Sequence, residues 1–298
     1  MSQAETAVDV SPSRDSTQPR MSPRLDPVVW SSDRSRAPIS EAEIAHYEEN
    51  GYLILQDVFD AAELGRLMAA ADSAMARENI APETIIEEPE SKAVRSVFEI
   101  HRQHDTFAAL MKDVRLADVA RFLLDDEVYI HQSRLNYKPG FEGKDFWWHS
   151  DFETWHIEDG MPRMRALSMS LMLTDNLVSN GPLMLINGSH KHYVACVGET
   201  PAEHYKASLR KQEYGVPDHD SIRTLSEERG IRAALARAGS VVVFDCNVLH
   251  GSASNISPYP RSNVFFVYNS MHNQCVEPFS GQPPRPQHIA NRAFVEPV

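Results

Sequence analysis

Near Glu127 the apolar pattern of this chain changes period, and that change restricts its fold more than any single motif does. Upstream the signals are helical. Ser40 and Glu43 have capping-box spacing and start a short helix toward Asn50-Gly51. Residues 52–55 then read as a strand. Asp60 and Glu63 repeat the box, after which Leu64, Leu67, Met68, Ala71 and Met75 trace one helical face. A third helical region covers residues 106–124. Downstream the texture is strand and turn. Residues 128–137 run extended into the turn signal Lys138-Pro139-Gly140. Residues 165–174 alternate, with Leu167, Met169, Leu171 and Leu173 on one face and Ser168, Ser170 and Thr174 on the other. Further strands are expected at 183–186, 240–244 and 263–268. Helices first and strands later, without βαβ alternation, predict an α+β, mainly β chain around an antiparallel barrel or sandwich.

Residues 1–38 are rich in Ser, Pro, Arg and Asp with almost no apolar periodicity, and predict a disordered tail. Residues 39–298 then form one domain, with a charged, partly helical insertion near 197–237. The net charge of −13 argues against a nucleic-acid backbone or an anionic membrane surface as partner. No window approaches the roughly 18 apolar residues of a membrane span, and no secretion signal is expected. Cys196, Cys246 and Cys275 have neither disulfide-framework nor zinc-ribbon spacing, which suits free thiols in a reducing cytoplasm.

The pattern His-x-acid occurs three times. In His46-Tyr47-Glu48, on the first helix, positions i and i+2 diverge and cannot share an ion. His156-Ile157-Glu158 leads into Asp159-Gly160 and reads as loop. His149-Ser150-Asp151 follows Phe146-Trp147-Trp148, an apolar run favouring extended backbone, where i and i+2 face the same side. One of the two tryptophans is expected in core packing. Far downstream, a buried-strand signal over 238–244 leads to His250-Gly251-Ser252. Two histidines and a carboxylate leave open coordination positions, the facial arrangement of non-haem Fe(II) oxygenases. Catalytic zinc held by His, Asp, His and water is the competing metal. His190, His192 and His272 compete with His250 for the third place. An iron site that uses an organic-acid co-substrate also needs a fixed cation, for which Arg261 is placed to serve through its fork. After Pro258-Tyr259-Pro260 it reads equally as a surface arginine.

These residues resemble a known family. His149-x-Asp151, the segment from Asn180-Gly181-Pro182 to Ser189-His190-Lys191, and His250 followed by Arg261 look like the phytanoyl-CoA dioxygenase group; so does the opening Tyr47-Glu48-Glu49-Asn50-Gly51-Tyr52-Leu53. Within that group FWWHSDFETWHIEDGMPRMRALS resembles the signature of ectoine hydroxylases, and the similarity runs from about residue 40 onward. The resemblance implies a double-stranded β-helix (jelly-roll, cupin-like) core with flanking N-terminal helices. It implies an Fe(II)- and 2-oxoglutarate-dependent reaction in which ectoine and O2 give 5-hydroxyectoine, succinate and CO2. His149, Asp151 and His250 would then hold iron, and Arg261, Ser252 and Asn136 would hold 2-oxoglutarate. Gln132, Thr154, Trp155 and Arg285 would face ectoine, Trp155 through a cation–π surface and Arg285 through the carboxylate. The resemblance also points to a homodimer. A hydroxylase of another small amino acid, or a jelly-roll protein that binds metal or solute without turnover, are the alternatives.

Overall fold

The computed structural model of the chain describes residues 9–88, 92–203, 205–209 and 214–298. Up to Glu127 the elements are β1 (Arg20–Pro23), α1 (Glu41–Asn50), β2 (Tyr52–Leu55), α2 (Ala61–Met75), β3 (Ile85–Glu87), β4 (Val94–Phe98), α3 (Ile100–Gln103), α4 (Asp105–Leu110) and α5 (Val114–Leu124). Then come β5 (Val128–Lys138), β6 (Phe146–His149), α6 (Asp151–Asp159), β7 (Ala166–Met172), β8 (Leu183–Ile186) and β9 (His192–Ala195). The chain continues with α7 (Tyr205–Ser208), α8 (His219–Arg229), β10 (Ile231–Ala233), β11 (Val241–Asp245), β12 (His250–Ser252) and β13 (Arg261–Ser270). Both capping boxes form: Ser40 with Glu43 opens α1, and Asp60 with Glu63 opens α2.

Two antiparallel sheets face each other as a jelly roll. The larger has strand order β2-β11-β7-β13-β5-β4-β3 and the smaller β10-β8-β12-β6. On the outer face of the larger sheet, Leu167, Met169 and Leu171 join Val243, Phe266 and Tyr268 against Leu67 of α2, Phe107 of α4 and Leu123 of α5. On its inner face Met172, Val242, Phe244 and Phe265 meet Leu183 and Leu185 of the smaller sheet. Large side chains buried this completely stabilise by about 1.5–3 kcal/mol each. The polar face of β7 therefore points into the sandwich, not to solvent. Ser168 and Ser170 are buried there, bonded to Asp151 and Asn263.

Several expectations need correction. The stretch 106–124 is two helices, because Asp113 caps the amide of Arg115 and restarts the chain as α5. The buried face of α2 is Leu67, Ala70, Ala71 and Ala74, while Met68 is 42% exposed; a stripe of small alanines lets the helix sit close on the sheet. Residues 156–159 are helical, not loop: Ser150 caps α6 at one end, and Gly160, at φ 75°, closes it at the other. The stretch 197–237 carries α7, α8 and β10, the last of which extends the smaller sheet beside β8; residues 204 and 210–213 lie outside the described residues.

The largest correction concerns the segment expected to be a disordered tail. Residues 1–8 lie outside the described residues, but residues 9–38 are laid against the body. β1 pairs with β9, and Arg24 reaches Asp245 at 2.7 Å with both side chains nearly inaccessible. Arg14 is buried against Glu153 and Glu158. Backbone pairing and buried arginine–carboxylate contacts hold the segment in place, together with Val28, Val29, Trp30 and Ala37 packed against the core.

Candidate active site

The cavity between the sheets opens onto three groups that the register brings together. β12 runs antiparallel to β6 with His250 directly opposite His149, so their rings lie 4.2 Å apart between centroids. β6 ends at His149, Ser150 caps the next helix, and Asp151 is its first residue. The pair His149-x-Asp151 thus converges through a strand-to-helix corner rather than through strand parity. One ligand atom each from His149, Asp151 and His250 lies within 4.8 Å of the others. His149 Nε2 is 3.6 Å and His250 Nε2 3.8 Å from Asp151 Oδ1.

The surroundings fix which atoms face the centre. His149 Nδ1 donates to the Trp147 carbonyl at 2.8 Å, and His250 Nδ1 to the Val248 carbonyl at 3.0 Å. Each ring therefore turns its Nε2 lone pair inward, as outer hydrogen bonds do for metal-binding histidines. Ser168 donates to the second carboxylate oxygen of Asp151 at 3.2 Å. Burial alone would raise the Asp151 carboxyl, but His250, His149 and Arg134 hold it well below the usual range. Burial, reinforced by His149, pushes His250 down to about 4 and keeps it neutral. Two inward-facing imidazole nitrogens and one carboxylate suit a divalent transition metal.

The competing histidines go elsewhere. His190 is buried against Gly51, with Nε2 at 3.2 Å from the Glu48 carbonyl, and burial lowers it to about 4. His192 lies in β9 opposite Pro23. His272 pairs with Asp126 at the surface. Of the tryptophans, Trp148 packs on the Ile186, Val194 and Leu249 cluster, while Trp147 is 43% exposed beside His219.

One end of the cavity is cationic. Arg261 is buried, and its Nε has no hydrogen-bond partner; burial and neighbouring Arg95 push its guanidinium down to about 10. Lys138 donates to Ser252 Oγ at 2.9 Å and to the Ala253 carbonyl at 2.6 Å. Burial, with repulsion from Arg261 and Arg95, pushes Lys138 down to about 6. Asn136 Oδ1 accepts from Ser96 at 2.8 Å on the same wall. A buried arginine with an open donor, beside a lysine that is costly to charge, fits an anionic ligand.

The other end combines aromatic and polar groups. Trp155 is 2% exposed and stands edge-on to His131 at 5.5 Å; Thr154 lines the same side. Gln132 donates to the Ile289 carbonyl at 2.7 Å and accepts from Arg134, so its amide is held at both atoms. Arg285 lines the cavity but already forks onto Asp159, Nε to Oδ1 at 2.7 Å and Nη2 to Oδ2 at 2.5 Å. It is thus a pre-oriented cation, with part of its donor set committed. Arg134 and Lys138 were missed from sequence. Their signal was available: they share the strand parity of Gln132 and Asn136, and all four line the cavity from β5.

A facial triad inside a jelly roll, with a buried cationic end beside it, defines a mononuclear non-haem oxygenase. Residues 47–263 match the family model Phytanoyl-CoA dioxygenase, and the chain belongs to that family. It is 55% identical over 285 residues to the ectoine dioxygenase of Sphingopyxis alaskensis, covering 95% of this chain and 93% of that one. It is likewise 52% identical to the ectoine dioxygenase of Stutzerimonas stutzeri, covering 97% and 96%. The crystal structure of EctD from S. alaskensis with 2-oxoglutarate and 5-hydroxyectoine superposes with a TM-score of 0.88 at 49% identity, over 98% of this chain and 96% of that one. Among the described residues no helix is long and apolar enough to cross a membrane.

Proposed function

We propose that the chain is an ectoine 5-hydroxylase: ectoine, 2-oxoglutarate and O2 give 5-hydroxyectoine, succinate and CO2. The observation that carries the reading is one cavity in which the triad is flanked by a cationic end and an aromatic, arginine-bearing end. Extensive similarity to ectoine dioxygenases supports the choice of substrate.

His149, Asp151 and His250 would hold Fe(II), which when bound supplies O2 activation driven by decarboxylation of 2-oxoglutarate. Arg261 would pair with the distal carboxylate of 2-oxoglutarate, with Ser252, Asn136 and Lys138 beside it. Ectoine is a small ring with a carboxylate and a delocalised amidinium cation. Arg285, fixed by Asp159, would meet the carboxylate. Trp155 would offer the amidinium an aromatic face, and Gln132 and Thr154 would border the ring. The work of these residues is orientation: one ring C–H is held toward the metal while the walls keep bulk water out. The buried free thiols of Cys196 and Cys246 support a cytoplasmic setting. The homodimer is tested by light scattering of the purified protein.

Purified protein given Fe(II), 2-oxoglutarate, air and ectoine is expected to form 5-hydroxyectoine and succinate in equal amounts. A panel of other small amino acids is expected to give little product. Succinate release without 5-hydroxyectoine would remove ectoine as the substrate.

A further inference from the structure

The helix that begins with Asp151 has two sides with different partners. All nine residues of α6 are buried. Asp151, Thr154 and Trp155 face the cavity. Glu153 and Glu158 carry carboxylates that are 1% and 4% exposed, and a cation from the N-terminal segment reaches both. Arg14 donates to Glu153 through Nε at 2.9 Å and Nη2 at 2.7 Å, and to Glu158 through Nη1 at 2.7 Å. Its Nη2 also lies 3.5 Å from Thr154 Oγ1, on the cavity wall itself.

The seat for this guanidinium is built by several segments. Ser13 donates to Glu153 at 2.6 Å, and the Arg14 amide donates to the Cys196 carbonyl at 2.9 Å. Arg14 holds φ at 56°, a left-handed backbone unusual for a non-glycine residue. A Cβ on Gly215 would come within 2.4 Å of Arg14 Nη2 and 2.7 Å of Glu153 Oε2, so a side chain there would displace the pair. Farther along the segment, Asp9 meets His156 at 3.0 Å and the Ser11 carbonyl accepts from Tyr193 at 2.8 Å.

We propose that Arg14 is a positioning residue for the reaction: by neutralising and spacing Glu153 and Glu158, it sets where α6 presents the Asp151 carboxylate and the Thr154–Trp155 wall. Without it the two carboxylates lose the cation they share while staying buried on one helix, a cost that a shift of the helix or entry of water relieves. The part concerning the substrate wall rests on the ectoine reading above; the part concerning Asp151 does not.

The test compares wild type, Arg14→Gln, Arg14→Lys and Glu153→Gln as full chains. Under anaerobic conditions each is titrated with Fe(II) at saturating 2-oxoglutarate, following the visible charge-transfer band. Arg14→Gln is expected to need several-fold more Fe(II) for half-saturation, up to about tenfold, because it acts one residue further out than a direct partner of a metal ligand, whose loss costs 10–100-fold. In air with ectoine, it is expected to release more succinate than 5-hydroxyectoine. Arg14→Lys, a point charge that cannot fork between both acids, recovers part of each loss. Glu153→Gln falls between Arg14→Lys and wild type. If Arg14→Gln does not fold, the ordering of the other two carries the test. A lowered melting temperature with unchanged Fe(II) half-saturation and unchanged succinate-to-product ratio overturns the proposal, because Arg14 would then only tie down the segment. A shifted Fe(II) titration together with a wild type that ignores ectoine upholds Arg14 and removes the ectoine reading instead.

Discussion

Asp151→Ala is expected to abolish 5-hydroxyectoine formation and the anaerobic charge-transfer band together. Changing even an outer partner of a metal ligand costs 10–100-fold, so loss of the sole carboxylate of the triad is expected to cost roughly 1,000-fold or more in turnover. The carboxylate has a second task in the protein without metal. It sits between His149 and His250 and faces Arg134, and these neighbours hold its carboxyl well below the usual range despite burial. Asp151→Asn keeps the shape and most of the packing, including a group for Ser168 to bond. The asparagine variant is therefore expected to melt close to wild type and still fail in turnover. Circular dichroism melts beside the band titration separate the two effects. A variant that keeps the band at wild-type Fe(II) concentrations would show that the carboxylate is not a ligand.

How the triad assembles explains why it was legible and where the reading went astray. His149 follows an apolar run that favours extended backbone, and His250 follows a buried-strand signal. The sequence could not show that β6 and β12 pair in the register that sets these rings opposite each other. Asp151 was reached by a strand-parity argument, yet it starts a helix; Ser150 is a cap whose signal was overlooked. On β5 the i+2 rule puts Arg134 and Lys138 on the same face as Gln132 and Asn136, although Lys138-Pro139-Gly140 reads as a turn. The N-terminal segment was misread for a different reason. Its apolar contacts, Val28, Val29, Trp30 and Ala37 against the core, form no periodic pattern, and hydropathy does not register β1 pairing or the burial of Arg14 and Arg24 against acids far along the chain. Glu153 had no assignable role until that partner was in view.

Arg261→Ala is expected to raise the KM for 2-oxoglutarate about 10–100-fold while changing the KM for ectoine little. A hydrogen bond to a charged group is worth about 1.5–3 kcal/mol, and each 1.36 kcal/mol is tenfold. Arg261→Lys is expected to recover only a fraction, since an ammonium cannot fork onto a carboxylate. Lys138 adds a pH dependence to the same end of the cavity. In the free protein burial and the neighbouring arginines push it down to about 6, so it is charged below that pH and neutral above it. Arg261, at about 10, stays charged through the same range. A carboxylate arriving beside Lys138 favours the ammonium and raises its pKa, so binding takes up a proton once the free lysine is neutral. By linkage, the KM for 2-oxoglutarate is expected to rise between about pH 6 and pH 8. Lys138→Met removes the titrating group and is expected to give a higher but flatter profile over that range. A wild-type KM that does not change with pH, or the same slope in Lys138→Met, would show that the lysine keeps one charge state on both sides of binding.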